Sequence, residues 1–271
     1  MLITRISSAL VLSSVFLFGL FSPWNIFPVL IVLLLSIAAW EWASLASIDR
    51  GYGKAIYVGI VVTLLVLMAV FQDYLLQFVF KFALIVFWFW ILLTPLLVKF
   101  PATAELFRNK AFAIGISIMI LVSSAAGLLW LRMQDNGPWL VLFLLLIVTN
   151  ADSGAYFTGK KFGKTLLAPQ ISPGKTFEGF YGGLCVNFVF GLILSLSLSF
   201  SPKESFWIML IVVATSLFSV GGDLLESAIK RSRGVKDSGT ILPGHGGILD
   251  RIDGLCAATP CFIFGILLSG I

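Results

Sequence analysis

The chain has 271 residues, of which 59% are hydrophobic and only 11% are charged. That charged share is about half of what soluble domains carry, and the 25 Phe residues add further apolar bulk. Composition therefore excludes a soluble globular protein. The net charge of +5 does not point to nucleic acid, because no basic stripe interleaves with exposed aromatics.

A helix needs roughly 20 apolar residues to cross a hydrocarbon core about 30 Å thick. Nine stretches qualify, at about 5–22, 27–47, 55–72, 74–98, 111–133, 138–158, 177–200, 205–229 and 250–270. The runs are continuous rather than alternating, which predicts helices and not barrel strands. The expected fold class is all-α, a polytopic integral membrane protein with about nine transmembrane helices. The first stretch reads as a retained span, since "FGLFSPWN" offers no small-x-small cleavage site.

Nine alternating spans place fifteen of the eighteen Lys and Arg residues on the side of the N-terminus. The positive-inside rule makes that side cytoplasmic. The expectation is an N-terminus inside, a C-terminus outside, and a protein integral to the cell membrane. The three cysteines, Cys185, Cys256 and Cys261, lie in apolar helices and carry no redox or metal signal.

Residues 1–135 read as spans one to five, a scaffold with few intramembrane charges. Glu41, in "WEWAS", reads as lying near the cytoplasmic end of the second span and reaching water. Residues 136–271 read as the catalytic region, with spans six to nine and cytoplasmic loops at 159–176 and 230–249. Three polar stretches converge on the cytoplasmic face there: 149–183, 221–239, and the opening of the last span.

The first stretch contains Asp152 and "SPGKTFEG". A P-loop would need glycine five residues before Gly174, but position 169 is Pro, and a preceding strand is not evident. Pro173 and Gly174 are expected to shape a turn. Lys175 beside a helix N-terminus suits phosphate oxygens; simple capping by Thr176, with Glu178 favourable in the first turn, is the alternative.

In the second stretch Asp223 lies about two turns before the basic run Lys230, Arg231, Arg233, Lys236. An acidic residue below the membrane surface is a functional candidate, or else half of an internal salt bridge. In the third, Asp250 and Asp253 are i,i+3 and share a helix face. Paired carboxylates suit Mg²⁺, or cap a helix start. Gly244, Gly246 and Gly247 let backbone approach a ligand closely. Arg251 neutralises the aspartates or holds phosphate. His245 is the lone histidine, which excludes an ordinary zinc site; it serves as a structural hydrogen-bonding group or contacts a ligand.

The segment "SAIKRSRGVKDSGTILPGHGGILDRID", Ser227 to Asp253, resembles the signature of the phosphatidate cytidylyltransferases, the CDP-diacylglycerol synthases. "AYFTGKKFG" and "ISPGKTFEG" resemble upstream blocks of that family, although Gly174 stands where the family often has lysine. The resemblance implies the reaction CTP + phosphatidate → CDP-diacylglycerol + pyrophosphate, a divalent metal such as Mg²⁺ (with a second metal ion possible), and a homodimer in contact with membrane lipids. On that basis Asp223 and Asp250 are expected as metal ligands, with Asp253 as ligand or support. Lys175 joins these three as catalytic. Substrate or phosphate contacts are expected from Asp152, Ser172, Thr176, Glu178, Lys230, Arg231, Lys236, Asp237, His245, Gly246, Gly247 and Arg251. Two other readings are a related CTP-dependent lipid kinase or CDP-lipid synthase, and an ion-coupled transporter. The latter lacks any internal repeat. A CDP-alcohol phosphotransferase is disfavoured, since Ala258 replaces the required arginine and no aspartate follows Asp253.

Overall fold

The computed structural model describes residues 2–23, 25–48, 51–71, 74, 79–242, 244 and 246–270. Its helices are α1 (Leu2–Phe21), α2 (Ile26–Leu45), α3 (Gly51–Val70), α4 (Val79–Val98), the short α5 (Ala104–Arg108), α6 (Lys110–Met133) and α7 (Gly137–Phe162). A hairpin follows, β1 (Leu166–Ala168) and β2 (Ser172–Thr176), then α8 (Phe177–Ser197), α9 (Pro202–Ser232) and α10 (Leu249–Ser269). Among the described residues eight helices are long and apolar enough to cross a membrane, and Leu10–Phe21 forms a shorter apolar helix. The chain is an integral membrane protein. Helices carry it because lipid offers backbone groups no partners outside the segment.

The helix ends differ from the hydropathy limits. α7 runs on to Phe162 and α9 to Ser232, so the flanking loops begin later than at 159 and 230. Hydropathy marks where a helix leaves lipid, and the polar residues beyond still continue its hydrogen bonding.

The chain forms two compact units, Met1–Val79 with Ala104–Val141 and Ile229–Asp253, and Phe80–Thr103 with Leu142–Ala228 and Gly254–Ile271. In the first, α2 packs on α1, α3 and α6. Trp42 Nε1 donates to the Ala113 carbonyl at 3.0 Å, and Tyr57 Oη to Ser117 Oγ at 2.7 Å. Two arginines close helix ends whose last carbonyls lack intrahelical partners. Arg233 donates to the carbonyls of Leu45 and Arg108, and Arg108 donates to that of Ser232. Cations at helix C-termini are also favoured by the macrodipole.

In the second unit, α8 buries Gly179, Gly183, Asn187, Gly191 and Ser195, one residue every fourth position and all of them small but Asn187. Membrane helices gain nothing by burying leucine against leucine, so small residues that permit close backbone approach decide their packing. A Cβ on Gly183 would lie 2.5 Å from the Ala151 carbonyl oxygen of α7, and one on Gly179 would lie 2.7 Å from that of Ala155. Asn187 Nδ2 adds bonds to the Ile147 carbonyl at 2.8 Å and Ser216 Oγ at 2.7 Å, joining α7, α8 and α9. Such bonds contribute only about 0.6 kcal/mol each on average in membranes, so close packing dominates.

Candidate functional site

The hairpin positions Lys175. Pro169–Ile171 makes the turn, with Ile171 N–H donating to the Ala168 carbonyl, and β1 pairs antiparallel with β2. Pro173 and Gly174 lie in strand β2 rather than in the expected turn. A two-stranded hairpin is marginal alone, and α8 secures this one. Thr176 Oγ1 caps α8 by accepting from Gly179 N–H at 3.1 Å. The Glu178 carboxylate accepts from the backbone N–H groups of Lys164 and Thr165. Those bonds give Thr176 and Glu178 structural tasks, and the extended backbone at Gly174-Lys175-Thr176 does not wrap a phosphate as a P-loop does.

Lys175 Nζ lies 2.5 Å from Asp223 Oδ2, with the two side chains 25% and 31% exposed. Asp223 Oδ1 accepts from Ser227 Oγ at 3.2 Å. Ser172 is half-buried on β2, while Asp152 is exposed on α7. A charged pair this open keeps access for an incoming group.

The first unit holds a second lysine–aspartate pair. Lys230 Nζ lies 2.5 Å from Asp250 Oδ1, and the side chains are only 11% and 6% exposed. Asp250 Oδ2 also accepts from Gly247 N–H at 2.8 Å, from Ser238 N–H at 3.0 Å, and from Ser238 Oγ at 3.0 Å. The reach back to Gly247 ties the glycine loop to the first turn of α10. Asp250 thus both holds that loop and pairs with a lysine. Asp253 is half-buried one turn on; Arg231, Lys236, Asp237 and Arg251 are exposed. His245 lies outside the described residues.

The glycines of this loop make room for the protein's own carboxylates. Gly246 has φ +84°, and a Cβ there would come 2.5 Å from Asp250 Oδ2. A Cβ on Gly247 would run into Ser238 Oγ and Glu41 Oε2, and one on Gly239 would lie 2.5 Å from Glu41 Oε1.

Glu41 overturns an expectation. It does not reach water but is 3% exposed. Its carboxylate accepts from Ile248 N–H at 3.1 Å and Leu249 N–H at 2.8 Å, and lies 3.2 Å from Ser238 Oγ. Its one sequence signal was an acid inside an apolar span, and the local pattern of "WEWAS" names no partner.

Carboxylates are the hard oxygen ligands that Mg²⁺ prefers. Asp223 fits that use, being partly exposed and held by one lysine and one hydroxyl. Asp250 fits less simply, because a cation there must displace one of the donors around it. Among the described residues no group of three or more His, Cys, Asp or Glu is placed to hold a metal ion.

A model of the Cytidylyltransferase family matches residues 3–268. The chain is 37% identical over 263 residues to a phosphatidate cytidylyltransferase of Pseudomonas aeruginosa, covering 97% of this chain and 96% of that one. It is 40% identical over 185 residues to a phosphatidate cytidylyltransferase of Haemophilus influenzae, covering 65% of this chain and 64% of the relative. One of Bacillus subtilis is 44% identical over 133 residues, 49% of each chain. The chain belongs to the cytidylyltransferase family.

Proposed function

We propose that this protein is a phosphatidate cytidylyltransferase, making CDP-diacylglycerol and pyrophosphate from CTP and phosphatidate. The observation that carries the reading is the Lys230–Asp250 pair. It is enclosed by Ser238 and Gly247 at the head of a membrane helix, inside the Ser227–Asp253 signature, in a chain similar to such an enzyme over 97% of its length. A reaction between a charged nucleotide and a lipid headgroup belongs at such a boundary.

In the reaction an oxygen of the phosphatidate phosphate bonds to the α-phosphorus of CTP. The bond from that phosphorus to the bridging oxygen of the β-phosphate breaks, and pyrophosphate leaves with the electron pair. The nucleophile is already anionic, so positioning and charge neutralisation do the catalytic work. Lys175 and Lys230 offer fixed ammonium groups to phosphate oxygens, and exposed Arg231, Lys236 and Arg251 supply further positive charge. Asp223 holds Lys175 and is the most open ligand for Mg²⁺; Asp250 holds Lys230, and Asp250 and Asp253 are further acidic candidates on the strength of the family resemblance alone. A bound Mg²⁺ supplies Lewis-acid neutralisation of the triphosphate.

The same reading has nine spans, the N-terminus and both lysine–aspartate sites cytoplasmic, and the C-terminus outside, supported by the bias of Lys and Arg. The homodimer rests on the family resemblance. The test is pyrophosphate release by purified protein given CTP, phosphatidate and Mg²⁺. Release that requires both substrates is expected; release independent of phosphatidate, or none, overturns the reading.

A further inference from the structure

Glu41 stands on α2, about 200 residues before the segment it touches: the three contacts span 197, 207 and 208 positions. A buried carboxylate in a membrane helix is costly, and a helix start is ordinarily capped by a short local side chain. Something beyond capping has to justify a glutamate here.

The arrangement of donors supplies it. The N–H groups of Ile248 and Leu249 open α10 and point along its positive end. The nearest alternative acceptor in sequence is the carboxylate of Asp250. With Glu41 taking both amides, Asp250 keeps Oδ1 on Lys230 and Oδ2 on Gly247 and Ser238. Ser238 Oγ lies within reach of both Glu41 Oε2 and Asp250 Oδ2. Ser238 Oγ has one proton for the two carboxylates, which share it or take it in turn, so the position of each depends on the other through Ser238. Gly239 and Gly247 leave the space that the Glu41 carboxylate fills.

We infer that Glu41 is a positioning residue for the nucleotidyl transfer: it occupies the first amides of α10 and, through Ser238, fixes the orientation in which Asp250 meets Lys230. The inference rests on the proposed reaction for its kinetic consequence and on the geometry alone for its structural one.

The test uses the full-length protein in lipid nanodiscs and the isosteric variant Glu41→Gln, with Ser238→Ala as the second variant. For each, kcat is expected to fall by about tenfold or more, the usual cost of removing a group that orients a site carboxylate. KM for CTP should shift less than about threefold, as for an interaction expressed in the transition state rather than in binding. The double variant should lose no more than the worse single one, because both cut the same link. Amide hydrogen exchange over 238–250 should accelerate in Glu41→Gln while α6 and α8 stay protected. Wild-type kcat in both variants, or unchanged exchange over 238–250, overturns the role. So does a kcat loss in Ser238→Ala that merely follows a loss of folded protein. If wild-type protein releases no pyrophosphate from CTP and phosphatidate, the reaction is wrong, and the exchange result alone still decides whether Glu41 holds this segment.

Discussion

Lys230 and Asp250 form an ion pair at 2.5 Å with both side chains nearly buried, whereas Lys175 and Asp223 form one at the same distance with a quarter to a third of each side chain exposed. α9 supplies Asp223 to one pair and Lys230 to the other. The two pairs have the same chemistry and differ in burial, so losing one partner should cost more stability in the buried pair than in the open one.

Removing one partner of a buried pair leaves the other charge without compensation, at a cost of about 3–5 kcal/mol. Lys230→Met is therefore expected to destabilise the protein by about that amount, because it strands Asp250 among Ser238 and Gly247. Thermal unfolding in detergent measures it. A midpoint equal to that of the wild type would mean that Asp250 is not held charged by Lys230.

Lys175→Met should behave otherwise. An ion pair this open contributes about 1 kcal/mol or less, so the unfolding midpoint should barely move. If Lys175 neutralises charge on the transferring phosphate, turnover should fall by about 10²–10³-fold, as when one preorganised donor is removed. Steady-state pyrophosphate release checks this beside the unfolding curve. Full turnover in Lys175→Met would remove it from the catalytic set.

The helices were legible because an apolar run of about 20 residues has few other uses, and each described span lies within a few residues of its predicted stretch. The hairpin was not legible. Its strands are three and five residues long, inside a polar loop, and depend on Glu178 and Thr176 for support. Asp223 stood out from depth alone, with an internal salt bridge to a lysine or arginine as the alternative to a functional role; the pair with Lys175 is present, but Lys175 lies 48 positions earlier and no local pattern joins them. Glu41 shows the limit most clearly. An acid near a helix end ordinarily reaches water, and only the fold brings Ser238, Ile248 and Leu249 to it. The glycines near His245 were legible as a place of close approach, and at Gly246 and Gly247 the protein's own carboxylates lie where a Cβ would stand.

The fourth-position stripe on α8 gives a packing prediction. Gly183→Ala would place a methyl 2.5 Å from a backbone oxygen of α7, where nothing short of moving the helix relieves it. Overpacking of this kind costs about 1–3 kcal/mol. Gly115→Ala on α6 meets nothing within 4 Å and is the control; it should be neutral or slightly stabilising, since alanine favours helix by about 1 kcal/mol over glycine. Detergent unfolding midpoints of the two variants compare them directly, and equal values would contradict close α7–α8 packing.

Two glycines in the signature blocks should respond in opposite ways to the same change. Gly174→Ala adds a methyl in open space on β2 at an ordinary backbone conformation, and should leave activity within about twofold of wild type, as surface changes usually do. Gly247→Ala pushes a methyl between Ser238 Oγ and Glu41 Oε2, both buried and hydrogen-bonded. Neither group can retreat without leaving a partner unsatisfied, which adds about 1–3 kcal/mol to the steric cost. Gly247→Ala is expected to lose most of its turnover at a lowered unfolding midpoint, measured by pyrophosphate release and thermal melts on the same samples. A fully active Gly247→Ala would mean that Glu41 and Ser238 do not share the space beside α10.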